Sequence, residues 1–101
     1  MEMTAPYWRL KDRRCPCNCG GEGVLMFITC PGCGYVALAC DEIGTVFPAP
    51  RDLSVPPCGS WFAASGSHER CPSCSKTPLS DYEYSTGEEI QRIGFMPSEY
   101  E

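Results

Sequence analysis

Thiols dominate the chemistry open to this chain. Cys30-Pro31-Gly32-Cys33-Gly34 and Cys71-Pro72-Ser73-Cys74 are two CPxC loops, and Cys15, Cys17, Cys19, Cys40 and Cys58 bring the cysteine count to nine. A CxxC loop closed by Gly lets backbone amides point at its sulfurs. Two such loops supply the four soft ligands of a closed tetrahedral site, with Zn–S bonds of about 2.3 Å. The odd count argues against a disulfide framework, and CxxC pairs in a reducing compartment are metal ligands far more often than disulfides. A thioredoxin-type redox CxxC needs a strand-helix-strand setting, which the pattern around these loops lacks.

The rest of the composition makes metal part of the fold. In 101 residues there are ten Gly and ten Pro, and long apolar runs are few, so hydrophobic burial alone is marginal. In such domains the free energy of metal binding is largely the free energy of folding. Residues 1–14, MEMTAPYWRLKDRR, hold no apolar stretch of signal-peptide length and nothing later approaches a membrane span, which predicts a cytoplasmic protein. The net charge of −5 argues against a nucleic-acid partner. Charge is nonetheless uneven: Arg9, Lys11, Arg13 and Arg14 stand near Tyr7 and Trp8, whereas Asp81, Glu83, Glu88, Glu89, Glu99 and Glu101 crowd the other end. A basic arm of this kind could touch phosphates, but Asp12 dilutes it, and an arm with Trp8 covering a core edge is the expected arrangement.

Short strands and turns must position the thiols. The run 24–29 (Val-Leu-Met-Phe-Ile-Thr) reads as a buried strand after the turn-rich Gly20-Gly21-Glu22-Gly23, and 35–39 as its antiparallel neighbour across the Cys30 loop. Asp41-Glu42-Ile43-Gly44 turns the chain into a third strand at 45–47, stopped by Pro48 and Pro50, and 61–64 (Trp-Phe-Ala-Ala) is expected to be a fourth. A six-residue strand spans about 20 Å, so Cys30 and Cys33 fall at one end of the hairpin, Cys19 and Cys40 at the other. Two interleaved sites are therefore expected. One draws on Cys15, Cys17 and Cys19 with Cys40 and Cys58; the other is Cys30, Cys33, Cys71 and Cys74. One cysteine is then spare, with Cys15 and Cys19 or the CxC pair Cys17 and Cys19 as the alternatives in the first cluster. A sequential grouping of Cys17, Cys19, Cys30 and Cys33 stays open. His68, the sole histidine, reads as a loop residue because eight cysteines fill two sites without it.

With these residues in place, Cys30-Pro-Gly-Cys33-Gly34-Tyr35 and Cys71-Pro-Ser-Cys74 resemble the paired knuckles of zinc ribbons and rubredoxins. The likeness covers residues 30–75, and Ser75 departs from it by standing where Gly usually closes the second knuckle. It implies a metal clamped by Cys30, Cys33, Cys71 and Cys74 at the end of a small antiparallel sheet. The zinc-ribbon branch implies a redox-silent ion and a surface for partners; the rubredoxin branch implies iron and one-electron transfer. A second cysteine cluster favours two structural zinc ions over iron. Sulfur-saturated sites with no visible acid–base pair argue against an enzyme.

Beyond residue 75 lies an acidic tail. Thr86 followed by Glu89 is a capping box for a short helix near 87–93, ended by Gly94. Ile90, Ile93 and Phe95 are expected to pack onto the sheet, with partner docking as the alternative. The whole predicts one domain, residues 1–101: a basic, aromatic arm (1–14), a double zinc-binding core (15–75) and the tail (76–101). It is small, metal-stabilised and mainly β, an antiparallel ribbon-like sheet. The expected role is a protein-interaction or adaptor module, with an iron electron carrier next and a nucleic-acid-associated ribbon third.

Overall fold

A computed structural model describes residues 8–11, 15–16, 23–62 and 69–101. The apolar run after Gly23 forms β1 (Leu25–Thr29), which pairs antiparallel with β2 (Val36–Cys40) from Leu25 opposite Cys40 to Thr29 opposite Val36. β3 (Thr45–Phe47) joins β2, β4 (Gly59–Ser60) joins β3, and β5 (Glu83–Tyr84) joins the other side of β1. The result is a five-stranded antiparallel sheet of order β4-β3-β2-β1-β5.

Every residue of β1 and β2 is buried, which explains why both read as continuous apolar runs instead of alternating ones. One face carries Leu25, Phe27, Val36, Leu38, Cys40 and Phe47. It is covered by Leu10, Cys15, Ile90, Phe95 and Tyr100. The other carries Ile28, Ala37, Ala39 and Val46, against Cys30, Cys71, Leu79 and Tyr82. The register thus sends alternate side chains of each central strand into two separate cores.

The two edge strands meet over the second face. Trp61, directly after β4, packs edge-on against Tyr84 of β5 at 5.3 Å, and its indole N–H donates to the Tyr82 carbonyl at 3.1 Å. This differs from the expected strand at 61–64. Trp61 and Phe62 lie in a turn whose Trp61 amide donates to the Gly44 carbonyl, and residues 63–64 lie outside the described residues. The strand sits two residues earlier because pairing with Thr45 and Val46, not local propensity, creates it.

The first face is closed by both chain ends. Residues 8–10 run along β1, with the Phe27 amide donating to the Trp8 carbonyl and the Leu10 amide to the Leu25 carbonyl. On their other side they pair with the C-terminus, Leu10 bridging Tyr100. Arm and tail charges therefore meet, Arg9 pairing with Glu101 at 3.2 Å, and Arg51 of the core pairs with Glu99 at 3.4 Å. Trp8 lies edge-on to Tyr100 and remains 38% exposed, so it covers a core edge as the sequence predicts.

α1 (Gly87–Arg92) starts at the anticipated capping box: the Glu89 amide donates to Thr86 Oγ1, and the Thr86 amide to Glu89 Oε1. Its Ile90 is fully buried. Glu89 Oε1 also accepts from Thr29 Oγ1 at 3.0 Å, and Thr29 shares a 2.6 Å hydrogen bond with the Ser85 hydroxyl. That network ties the helix start to the last residue before Cys30. Among the described residues no helix is long and apolar enough to cross a membrane.

Candidate metal centre

Cys30 and Cys33 leave the end of β1, and Cys71 and Cys74 come from the segment that covers the second face. Their four sulfurs all lie within 4.8 Å of one another. Across the two loops, Cys30 Sγ is 3.9 Å from Cys74 Sγ, and Cys33 Sγ is 3.6 Å from Cys71 Sγ. A tetrahedron with 2.3 Å metal–sulfur bonds has edges of about 3.8 Å. The spacing therefore fits a four-coordinate ion held by thiolates, and these four residues are the ones that would hold it.

Both loops are built alike. In the first, the Gly34 amide donates to the Cys30 carbonyl at 2.9 Å, and the Gly32 amide points at Cys30 Sγ at 3.4 Å. In the second, the Ser75 amide donates to the Cys71 carbonyl at 2.9 Å, and the Ser73 amide points at Cys71 Sγ at 3.3 Å. Each closes on a left-handed residue, Gly34 at φ 83° and Ser75 at φ 61°. Ser75 thus fills the place of the missing glycine by accepting backbone strain. A left-handed L-residue costs about 1–2 kcal/mol. Gly34→Ala, whose added methyl meets only the Arg92 guanidinium at an ordinary contact distance of 3.9 Å, is expected to destabilise the metal-loaded protein by about that amount. Ser75→Gly is expected to stabilise it by less than about 1 kcal/mol, since glycine also gains freedom in the unfolded chain. Denaturant titration of the two variants reads both signs.

The electrostatics suit an ion bound to sulfur. Amides of Lys76 and Thr77, and the Thr77 hydroxyl, lower the Cys74 thiol to about 6. At Cys33 the Tyr35 amide and Ser73 act to lower it, but the partial loss of water around the sulfur and hydrogen bonding with Cys30 and Cys71 outweigh them and push the thiol up to about 11. Neighbouring sulfurs sharing protons diverge in this way, and a dication replaces those protons. Tyr82 adds a separate observation. It is 4% exposed, and among the described residues its hydroxyl has no hydrogen-bond partner. Burial raises the phenol, and the Cys71 sulfur it faces raises it further. A Cys71 thiolate holding a metal would be an acceptor for that O–H, a contact that would orient the ligand from outside the coordination sphere.

The remaining cysteines divide between the faces. Cys40 lies at the opposite end of the β1–β2 hairpin from Cys30, as the strand lengths predict, and it and Cys15 are both buried in the first core. Cys58 does not join them. Its amide donates to the Val46 carbonyl, and its side chain packs on the second face among Cys71, Cys74 and Trp61. Cys17, Cys19 and His68 lie outside the described residues. Sequence reasoning missed Tyr82 and Thr77, because no spacing rule links a tyrosine or threonine to a thiolate that the fold brings beside it. Compared with protein-family models, curated proteins and solved structures, the chain matches none.

Proposed function

We propose that Cys30, Cys33, Cys71 and Cys74 hold a structural zinc ion in a ribbon-like centre, and that the chain works as a protein-interaction or adaptor module in the cytoplasm without catalysis of its own. The observation that carries the metal reading is the tetrahedral spacing of four sulfurs on two matched turns. A centre saturated by sulfur has no open position for substrate or water, which supports a structural ion. A second zinc, from the cluster at Cys15, Cys17 and Cys19, belongs to the same reading.

With the ion structural, the surface does the work. Phe62 stacks on Trp61 at 5.7 Å and is 53% exposed, beside Tyr84 at 41%, so aromatic area faces solvent where the two sheet edges meet. Aromatic residues are enriched in interface cores. Affinity capture with the parental chain and with Phe62→Ser, followed by identification of bound proteins, tests this. The expected result is a protein retained by the parental chain and lost from the variant while zinc content and melting temperature hold. A bound set indifferent to the substitution contradicts the assignment.

Cys33 favours a second reading as an iron electron carrier, because it is solvent-exposed and brings the centre to the surface, where electrons enter and leave. Visible thiolate-to-iron absorption in the purified protein would support it. Nucleic-acid binding ranks third: Arg9 is already paired with Glu101. Salt-sensitive, submicromolar binding to DNA or RNA near physiological ionic strength is expected to be absent; its presence would overturn that ranking.

A further inference from the structure

We propose that the partner of the aromatic surface at Trp61, Phe62 and Tyr84 is a basic peptide segment, in which a lysine or arginine lies over the exposed rings between the carboxylates of Asp41, Glu42 and Glu83. The inference rests on taking that surface as the interaction face, and it adds the chemistry of what binds there.

The fold sets acids beside these rings on both sides. The Trp61 amide donates to the Gly44 carbonyl at 2.6 Å, and a methyl group on Gly44 would lie 2.7 Å from a ring carbon of Phe62, so Phe62 presses on the turn after β2. That turn is Asp41-Glu42-Ile43-Gly44, and its first three residues are exposed. Across the surface, Glu83 precedes Tyr84 in β5 and is exposed with it. Tyr84 and Asp41 face the same cleft of about 270 Å³, lined also by Val24, Met26 and Arg9. The Val24 amide donates to Asp41 Oδ1 at 2.9 Å and holds that carboxylate at the edge of the cleft. Among the described residues none of Asp41, Glu42 and Glu83 forms an ion pair, whereas Arg9, the cation of the cleft, is held by Glu101 at 3.2 Å.

A cation is the complement of this arrangement. Exposed aromatic faces attract ammonium and guanidinium groups through their negative π surfaces, and carboxylates beside them with no cation of their own add Coulomb attraction. The net charge of −5 steers a basic partner toward the chain and repels an acidic one. A free amine does not match the surface, because apolar area extends past what one head group covers: Phe62 is 53% exposed, Ile43 44% and Tyr84 41%. The ligand therefore carries apolar side chains next to its charge, as a peptide segment with lysine or arginine beside aliphatic or aromatic residues does.

Random heptapeptides displayed on phage are selected on the full chain, and the best is labelled with fluorescein and titrated by anisotropy. The enriched sequences should place lysine or arginine beside an apolar residue. Enrichment of acidic or uncharged sequences, or no enrichment at all, overturns the proposal. The combined variant Asp41→Asn, Glu42→Gln and Glu83→Gln should weaken the labelled peptide about tenfold at low salt, a difference that about 0.5 M salt should erase. Asparagine keeps an acceptor for the Val24 amide, and all three residues are exposed, so the melting temperature should hold. Phe62→Ser should weaken the peptide by about tenfold or more at either salt concentration. A peptide weakened by Phe62→Ser but indifferent to the carboxylate variant leaves the surface standing and refutes the basic partner. A peptide indifferent to Phe62→Ser refutes the surface, and the proposal with it.

Discussion

Stripping metal from the purified protein with a strong chelator at neutral pH should abolish its cooperative thermal transition, and returning zinc should restore it. Structural zinc contributes about 10–16 kcal/mol of apparent binding free energy in small domains. A domain's whole stability is about 5–15 kcal/mol. An ion held by Cys30, Cys33, Cys71 and Cys74 would link the β1–β2 hairpin to the segment from Glu69 to Tyr82 that covers the second face, where Cys71, Leu79 and Tyr82 are buried. Without it, Trp61 should lose its hydrogen bond to the Tyr82 carbonyl, and tryptophan emission should shift to the red. Replacing Cys71 by Ser should have the same effect as the chelator. A transition unmoved by complete metal removal would mean that the two hydrophobic cores hold the sheet alone.

Phe95→Ala should be the most damaging single change away from the cysteines, costing about 3–5 kcal/mol. Phe95 is 4% exposed, meets Phe27 edge-on at 5.1 Å, and carries the Arg51 guanidinium 4.1 Å above its ring. Arg51 in turn donates to the Gly94 carbonyl, so ring, turn and guanidinium form one unit. For a chain of this size the melting temperature should fall by roughly 15 °C or more. Deleting residues 95–101 should cost more, since it also removes Tyr100 and the pairing of residues 99–101 with 9–11. Met96→Ala is the control: at 62% exposure it should change little. Calorimetry of the three proteins separates a tail that is core from one that serves only to dock. A deletion that leaves stability intact would return the tail to a partner-binding role.

The central hairpin was legible because both its faces are buried, so Leu25 to Thr29 and Val36 to Cys40 stand out as apolar runs on either side of a Cys-Pro loop. Which end of the hairpin Cys40 takes followed from length alone, and the register sets it opposite Leu25 and far from Cys30. The capping box at Thr86 was equally local, and it formed as read. The edges were not legible. β4 is Gly59–Ser60 and β5 is Glu83–Tyr84, two-residue strands too short to leave a pattern, whose existence depends on the partner strand. The contact that joins them, Trp61 on Tyr84, links distant segments and leaves no periodic trace.

The candidate metal centre was readable from the two CPxC loops, down to which four sulfurs converge. The sequence groups Cys58 with Cys40, whereas the Cys58 side chain packs on the second face and Cys40 on the first; a distance argument along the strand orders the ends of a hairpin but says nothing about which face a loop cysteine reaches.

The most direct measurement is elemental analysis of protein purified from cells grown without added metal, with Cys30→Ser beside it. The expected result is a colourless, folded protein holding tightly bound zinc, with one ion fewer in the variant. Stoichiometric iron in that centre would contradict the zinc assignment. A folded chain with no bound metal would contradict the centre itself.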